Sequence, residues 1–304
     1  MDPLHAAAAV PEVPSVEGTA APRRRSRLLA NPGLVVSAAF LLAIVLMAVL
    51  APLIAPHDPY AQALDARMIP PAFVDAERAD PAHLLGTDNL GRDYLSRLIY
   101  GARISLLIGF FTMLVSGAIG TALGVAAGYF GGKTDMVVSF LVTTRLSLPV
   151  VMVALAVVAV LGGSLEVVVF VLGLLLWDRF AVVMRSATMQ VRNREYVTAA
   201  RAIGCSVPRI LMSEVLPNVV SGLVVIASYE MAQAILLEAA LSFLGLGVQP
   251  PLPSWGLMVS EAKELMLFEP WMIMLPGLAI CLLVLAINLL GDGIRDATAP
   301  EGRA

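Results

Sequence analysis

Charged residues are scarce in this sequence, and cysteine is scarcer. Asp, Glu, Lys and Arg together make up 14% of the 304 residues, whereas a soluble domain carries about a quarter. Hydrophobic residues make up 59%, so water cannot be the only solvent of this chain. The two cysteines, Cys205 and Cys281, have no metal-ligand spacing, and we predict no metal site. The net charge of −3 indicates no particular partner.

Six apolar segments approach or exceed the ~20 residues that a helix needs to cross a bilayer core. Within lipid, a single segment satisfies its backbone hydrogen bonds most simply as a helix. We therefore expect an all-α polytopic membrane protein with six transmembrane helices. The third segment contains Arg145 and Pro149, and the proline should kink it. The segments are residues 33–54, 104–130, 136–161, 167–184, 219–241 and 272–290.

Arginine is distributed unevenly along the chain. Five arginines lie in the loop between the fourth and fifth segments, and four more immediately precede the first segment: Arg23, Arg24, Arg25 and Arg27. Because cytoplasmic loops are enriched in Lys and Arg, this loop and both termini should be cytoplasmic. The first segment is longer than the apolar part of a signal peptide and follows a polar leader, which favours a retained span.

These features divide the chain into four parts. We expect residues 1–30 to form a disordered, basic cytoplasmic tail, and residues 31–102 to hold the first span with a long external segment. Residues 103–291 should form the transmembrane core, which includes the cytoplasmic loop 185–217. Residues 292–304 should form a second cytoplasmic tail. A lid on the helix bundle is one explanation for the length of the external segment.

The segments around one apparent nucleotide-binding motif argue against nucleotide binding there. Residues 127–134 read AGYFGGKT and satisfy a relaxed phosphate-loop pattern. Such a loop needs a strand before it and a helix after it, whereas apolar spans flank this one on both sides. We expect a short glycine-rich turn at the membrane surface and no nucleotide binding.

Glycines recur along the second segment. Gly120, Gly124 and Gly128 follow one another at intervals of four residues. This spacing clears one face of a helix for close contact with another helix. We therefore expect the second span to lie inside a helix bundle.

The cytoplasmic loop contains a short amphipathic pattern. Residues 195–204 read EYVTAARAIG, in which Tyr196, Ala199, Ala200 and Ile203 have the spacing of an apolar helix face. Gly204 should end this helix. A second short helix should start near residue 208 and end at 216–217, before the fifth span. The small alanines would let the cleft of a partner close over the first helix, although a helix lying on the membrane surface is also consistent with this pattern.

These residues resemble a known family. The pattern in 195–204, followed thirteen residues later by Pro217, resembles the "EAA" loop of permease subunits of binding-protein-dependent ABC importers. Three further segments, 83–105, 238–256 and 288–296, resemble the dipeptide, oligopeptide and nickel branch of that family, and more specifically its "C" permease. One departure lies before Pro149, where relatives usually have an acidic residue and this chain has Thr143, Thr144 and Arg145.

The resemblance implies the ABC importer type I permease fold and a subunit without catalytic activity in the bacterial inner membrane. It would form half of a pathway for a di- or oligopeptide or a related small solute; nickel, opines and glutathione are alternatives. Its implied partners are a "B"-type permease, two cytoplasmic ATPases, an extracytoplasmic binding protein that the external segment would help to receive, and lipid, with no nucleic acid. The ATPases would use ATP and Mg²⁺, and this chain would bind no cofactor. The residues implied to couple it to the ATPases are Glu195, Tyr196, Thr198, Ala199, Ala200, Arg201, Gly204 and Pro217.

One acidic residue lies deep in an apolar segment. Glu230 falls inside the fifth span, where an ionisable side chain usually faces a bundle interior or water. It could line the solute pathway, be held neutral, or pair with a partner permease. We expect Arg145, in contrast, to extend towards the cytoplasmic surface.

Two functions of other classes are weaker explanations. A secondary transporter would need charged coupling residues at mid-membrane and an inverted repeat, and only Glu230 fits. An intramembrane enzyme would need catalytic groups within the spans, but His5, His57 and His83 all lie outside them.

Overall fold

The computed structural model describes residues 32–298 of the chain. Within that range every regular element is a helix, and the strand-like pairing is an isolated bridge between Thr87 and Asp93. The arginine cluster and the whole of the predicted N-terminal tail lie outside the described residues, as do positions 299–304 of the predicted C-terminal tail. Positions 292–298 continue the last helix.

Twelve α-helices make up the described part of the chain. Two 3-10 turns, Leu64–Ala66 and Lys263–Leu265, and one π turn, Leu211–Val215, lie between or beside them. The helices are α1 Pro32–Val49, α2 Ala51–Ile54, α3 Tyr94–Phe130, α4 Gly132–Leu146, α5 Val150–Leu161, α6 Leu165–Leu175, α7 Trp177–Val191, α8 Glu195–Ala202, α9 Val207–Ile210, α10 Leu216–Phe243, α11 Trp255–Ala262 and α12 Trp271–Thr298.

The apolar segments of the sequence all become helices. Four spans are long and apolar enough to cross a membrane: α3, the pair α6–α7, most of α10, and α12. The third predicted span is the pair α4–α5, which is bent by 83° at a break that ends at Pro149. The predicted kink is therefore confirmed. The first predicted span is a shorter apolar helix over Gly33–Val49. The described residues therefore hold four clear spans, one bent span and one short apolar helix.

Helix α3 organises the bundle. Its 37 residues span about 55 Å at 1.5 Å per residue, well beyond a bilayer core of ~30 Å. The helix begins where the Asp93 side chain accepts a hydrogen bond from Ser96 N at 2.8 Å, and it runs unbroken through the position between residues 102 and 103 where we divided the chain. Helices α3 and α10 contribute to two large apolar clusters. The first cluster also contains residues of α1, α11 and α12, and the second contains residues of α5 and α6.

The glycine face of α3 packs against α7. A Cβ atom added to Gly120, Gly124 or Gly128 would lie 2.3–2.7 Å from a backbone oxygen of α7. Only glycine permits an approach this close. The predicted helix contact is confirmed, and α7 is its partner.

The chain turns sharply between α3 and α4. Gly131 and Gly132 have φ angles of 66° and 52°, a region that L side chains other than Asn and Asp rarely adopt. The phosphate-loop-like residues therefore form a helix–turn–helix, which lacks the strand that a nucleotide loop requires.

Ion pairs fasten the start of α3 and the segment before it to α11. The buried Arg97 guanidinium lies 2.5 Å from the Asp88 carboxylate and 2.7 Å from that of Glu261. Arg92 contacts the same two carboxylates at 2.6 and 3.1 Å. This end of the bundle is thus held by charge-assisted hydrogen bonds between parts of the chain that are far apart in sequence.

Candidate functional site: the 195–217 loop and a buried charge cluster

The loop after α7 contains the predicted amphipathic helix. Helix α8 runs over Glu195–Ala202, and Gly204 follows it with a φ of 82°. Cys205 N donates to Ala200 O and Gly204 N donates to Arg201 O, both at 3.1 Å. These two bonds define a Schellman motif, in which the left-handed residue is usually glycine. The prediction that Gly204 ends the helix is confirmed.

One side of α8 packs on the body of the protein. Val197 is fully buried in a small apolar cluster with Tyr129, Ile210 and Val215, and Ala200 is half-buried against it. Since Tyr129 lies at the end of α3, the cluster joins α8 to the central helix of the bundle. Helix α8 is thereby packed against the end of α3 and the turn that leads into α10.

The opposite side of α8 is apolar and faces outwards. Tyr196 is 42% exposed and Ile203 is 80% exposed, and Ala199 between them is also exposed. These three residues form what we call the outer face of α8. Ala200, which the sequence pattern places with them, lies at its edge towards the body. An exposed apolar helix face beside an arginine cluster fits either a partner protein or a membrane surface.

The polar residues of α8 make contacts within the chain. The Thr198 hydroxyl donates to Glu195 O at 2.8 Å, and the Arg201 guanidinium lies 5.4 Å from the centre of the Tyr129 ring. Glu195 lies in the first turn, where a carboxylate is favourable for the helix dipole. Thr198 and Arg201 therefore hold the shape of the loop in addition to any contact with a partner.

The second predicted helix of the loop does not end at Pro217. Helix α9 passes through the π turn directly into α10, and Pro217 lies in the first turn of α10. Proline has no N–H, and its ring clashes with the preceding helical turn. The π turn directly before Pro217 changes the backbone spacing of that turn. The predicted interruption before the fifth span is wrong, because the helix accommodates Pro217 instead of stopping there.

Four charged residues meet where two spans are broken. Arg145 lies in the last turn of α4, before the 83° bend, and Asp178 lies in the first turn of α7, after the break at Leu176. Arg145 Nε is 3.3 Å from Asp178 Oδ1, and Arg179 Nε is 3.7 Å from Glu230 Oε1. The cluster holds two positive and two negative side chains, so it is electrically balanced within the bundle.

The members of this charge cluster differ in exposure. Glu230 and Asp178 are 1% and 2% exposed, Arg145 is 16% exposed, and Arg179 is 50% exposed. The Arg179 guanidinium also lies 4.7 Å from the centre of the Tyr229 ring. Among the described residues, neither oxygen of Glu230 has a hydrogen-bond partner. Glu230 therefore faces the bundle interior, and the charge that reaches the surface here belongs to Arg179.

At this cluster one expectation from the sequence changes, and two residues appear that the sequence analysis did not single out. Arg145 does not extend freely to the membrane surface, because Asp178 holds it in a largely buried position. Asp178 and Arg179 were missed altogether. The signal that could have found them is a pair of adjacent opposite charges inside the apolar fourth segment, which is as unusual there as Glu230 is in the fifth.

The comparisons with known proteins decide the family. Residues 120–302 match the family model described as "Binding-protein-dependent transport system inner membrane component". This chain belongs to that family. A second model, for the N-terminal transmembrane domain of oligopeptide transport permease C, matches residues 23–71. The family predicted from the sequence is thereby confirmed, and the chain is a multi-pass membrane permease component and not an enzyme.

Several curated relatives of this permease component are similar over most of their length. The dipeptide transport system permease protein DppC of Haemophilus influenzae is 41% identical over 89% of this chain and 91% of its own. The di/tripeptide permease DppC of Pseudomonas aeruginosa is 43% identical over 89% of both chains. The glutathione permease GsiD of Pectobacterium atrosepticum is 42% identical over 74% of this chain and 75% of its own.

Solved structures agree on the fold of this permease component. Two crystal forms of the inward-facing MetNI methionine ABC transporter contain a chain that superposes with TM-scores of 0.55 and 0.57 at 20% and 19% identity. Each match covers 67% of this chain and 97–98% of the other. The predicted ABC importer permease fold is confirmed.

Proposed function

We propose that this permease forms half of the transmembrane pathway of an ATP-driven importer of di- or tripeptides. The support is the set of relatives named for peptide transport, which match at 41–43% identity over 89% of this chain. Glutathione, the solute named for another relative, is itself a tripeptide and is the second candidate. Nickel and opines are weaker candidates, because the support for them rests on the branch alone.

The proposed working unit places this chain against a second, related permease, two cytoplasmic ATPases and an extracytoplasmic binding protein. In this arrangement both termini and the loop 185–217 lie in the cytoplasm, in keeping with the arginine distribution. ATP and Mg²⁺ are bound by the ATPases, and no nucleotide is bound by this chain.

The observation that carries the coupling proposal is that α8 is buried on one side and exposed on another. Val197 fixes one side of the helix to the bundle, while Tyr196, Ala199 and Ile203 on the other side remain uncovered. A rigid element of this kind can sit in a cleft of an ATPase and convert its closure into movement of the bundle. A helix that only rested on lipid would not need the small Ala199 between two larger residues.

Substitutions at Ala199 test this assignment. Ala199→Trp fills the outer face with a bulky side chain without touching the buried side, whereas Ala199→Ser keeps the residue small. In proteoliposomes that hold the complete transporter, we expect Ala199→Trp to lower ATP-driven dipeptide uptake at least tenfold. Ala199→Ser should transport nearly as well as the parent protein.

Two further measurements separate loss of coupling from loss of folding. The amount of Ala199→Trp permease in the membrane should equal that of the parent, and the amount of ATPase that co-purifies with it should fall. If Ala199→Trp imports peptide at the parent rate, α8 is not the docking element. A bulky substitution at the half-buried Ala200, or Gly204→Asp, should also impair transport, but these changes strain the loop itself.

A further inference from the structure

Three potential metal ligands converge at the outer end of α3. His57 follows α2, His83 lies in the segment between α2 and α3, and Asp93 is the residue that caps α3. Their ligand atoms all lie within 4.8 Å of one another, and within residues 32–298 they are the one group of three or more His, Cys, Asp or Glu side chains that does so. Because the two histidines are 26 positions apart, no local spacing in the sequence reveals the group.

The distances between these atoms are those of ligands around a small cation. His83 Nδ1 is 2.9 Å and His57 Nδ1 is 3.6 Å from the same oxygen, Asp93 Oδ1. A tetrahedral zinc ion with bonds of about 2.0–2.1 Å has its ligand atoms about 3.4 Å apart. The two measured distances lie within about half an ångström of that value, one on either side. The two histidine ligand atoms lie within 4.8 Å of each other.

A hydrogen bond alone does not account for all three side chains. The 2.9 Å contact between His83 and Asp93 is an ordinary hydrogen bond, but the 3.6 Å contact of His57 is too long to be one. His57 nevertheless directs Nδ1 at the same oxygen, and the two imidazole rings lie 4.7 Å apart at a tilt of 36°. A shared ligand between the three atoms explains why both rings are turned towards Asp93.

The backbone around the group is fixed before any ion binds. Asp93 Oδ2 accepts the capping hydrogen bond from Ser96 N at 2.8 Å, which leaves Oδ1 directed at the histidines. The backbone N of His57 donates to Ser96 Oγ at 3.0 Å, and this places His57 over the first turn of α3. Asp93 is 1% exposed, His83 16% and His57 39%, so the group is anchored on its inner side and open to solvent on the other.

We propose that His57, His83 and Asp93 bind one divalent transition-metal ion of the zinc class, with solvent as the fourth ligand. Two imidazoles and one carboxylate are the donors that Zn²⁺ and its neighbours Ni²⁺ and Cu²⁺ accept readily, whereas Ca²⁺ and Mg²⁺ require more oxygen ligands. The ion would tie the end of the first span to the start of α3. Its extracytoplasmic position rests on the proposed orientation of the chain, but metal binding itself does not.

Zinc binding by the purified transporter tests this site. The full-length chain in its complex, carrying an affinity tag without histidine, is stripped with a chelator, loaded with ZnCl₂ and desalted, and the bound zinc is counted by mass spectrometry. Competition with a chromophoric chelator gives the affinity. We expect one zinc per permease that is lost or weakened at least about tenfold in His57→Ala, His83→Ala and Asp93→Asn, since even the loss of an outer-shell partner costs that much.

Two variants of the chain and a cobalt substitution serve as controls for the zinc measurement. His5→Ala removes the third histidine of the sequence, which is not one of the proposed ligands, and should leave zinc binding unchanged. Asp93→Asn keeps a residue that caps helices well, so its effect reports the lost charge and not a lost cap. Co²⁺ in place of Zn²⁺ should give the intense visible absorption of a tetrahedral site in the parent protein.

The outcomes are distinct. The site does not exist if the parent complex retains no zinc, or if His57→Ala and Asp93→Asn bind zinc as tightly as His5→Ala. Should His83→Ala fail to assemble, the other two variants still decide, because His57 lies on the exposed side and Asn preserves the cap. Peptide uptake is measured separately, so failure of the peptide assignment would leave this result intact.

Discussion

At the scale of single residues, the two buried carboxylates of the charge cluster should respond differently to neutralisation. Asp178 is the counter-ion of the largely buried Arg145, whereas Glu230 faces an Arg179 side chain that is half exposed. Breaking a buried pair leaves a charge without compensation and costs about 3 kcal/mol or more. An exposed partner keeps its hydration, and losing its pair costs roughly 1 kcal/mol or less.

We therefore expect Asp178→Asn to destabilise the permease by about 3 kcal/mol and Glu230→Gln by roughly 1 kcal/mol or less. The free energy of unfolding can be measured by titration with SDS in mixed micelles. Arg179→Gln should cost more than Glu230→Gln, because it leaves the buried Glu230 carboxylate without its counter-ion. If Asp178→Asn and Glu230→Gln lower the free energy of unfolding equally, the burial of the partner arginine does not determine the contribution of each pair to stability.

The same variant tests whether the Arg179–Glu230 pair influences solute passage. Glu230→Gln leaves the half-exposed Arg179 uncompensated, so the uptake of lysine-containing dipeptides should fall relative to neutral ones. A change of ~1 kcal/mol corresponds to roughly fivefold in that ratio. Arg179→Gln should shift the ratio in the opposite direction. Identical uptake profiles for both variants and the parent would show that the Arg179–Glu230 pair does not influence solute passage.

Single residues also mark the limit of what the sequence reveals. Glu230 is conspicuous because it interrupts an apolar segment, but its partner comes from another helix and no spacing encodes that contact. Gly204 was predictable, since a helix-ending glycine depends on local backbone geometry alone. The side of α8 that faces outwards was not, because Tyr196, Ala199 and Ile203 look like a buried face until the position of Val197 is known.

At the scale of helices, the close packing of α3 on α7 gives a sharp comparison. A Cβ atom at Gly124 would lie 2.5 Å from Ala181 O, whereas one at Gly117 would lie 3.4 Å from the Phe180 ring. Backbone cannot move aside as a side chain can, so Gly124→Ala should destabilise the bundle by roughly 1–3 kcal/mol. Gly117→Ala adds the same methyl group to the same helix and should be nearly neutral.

Thermal inactivation of peptide uptake in proteoliposomes compares the two alanine variants directly. Gly124→Ala should lose activity at a lower temperature than the parent protein, and Gly117→Ala should not. If the two behave alike, the four-residue glycine spacing does not control the α3–α7 contact. The spacing alone indicated a packed face, but only the structure identifies α7 as the helix that occupies it.

Helices also show where local rules fail. Pro149 coincides with a break, as its missing N–H and fixed φ suggest. Pro217 does not, because the π turn before it lets α9 and α10 join. The two prolines look alike in the sequence, and the difference lies in the packing of Val215 and Ile210 against α8, which holds the helix together through that turn.

At the scale of the whole molecule, the proposed topology puts α8 and the loop between α11 and α12 on opposite sides of the membrane. Ile203 beside α8 and Leu267 in that loop are 80% and 82% exposed. Because their exposures match, a difference in their labelling reports the side of the membrane and not the accessibility of the side chain. The chain's own Cys205 and Cys281 are both unpaired and can be replaced by serine to provide a clean background.

In that background, a membrane-impermeant maleimide added to spheroplasts should label Leu267→Cys and leave Ile203→Cys unlabelled. After permeabilisation, and with the permease expressed without the ATPases that would cover Ile203, both variants should react to similar extents. The reverse pattern would place α8 outside the cell, where no ATPase could reach it, and would contradict the proposed coupling together with the cytoplasmic termini. Labelling of both variants in intact spheroplasts would mean that the two sites share one side, which an odd number of spans between them forbids: only α10 separates Ile203 from Leu267 as a membrane crossing.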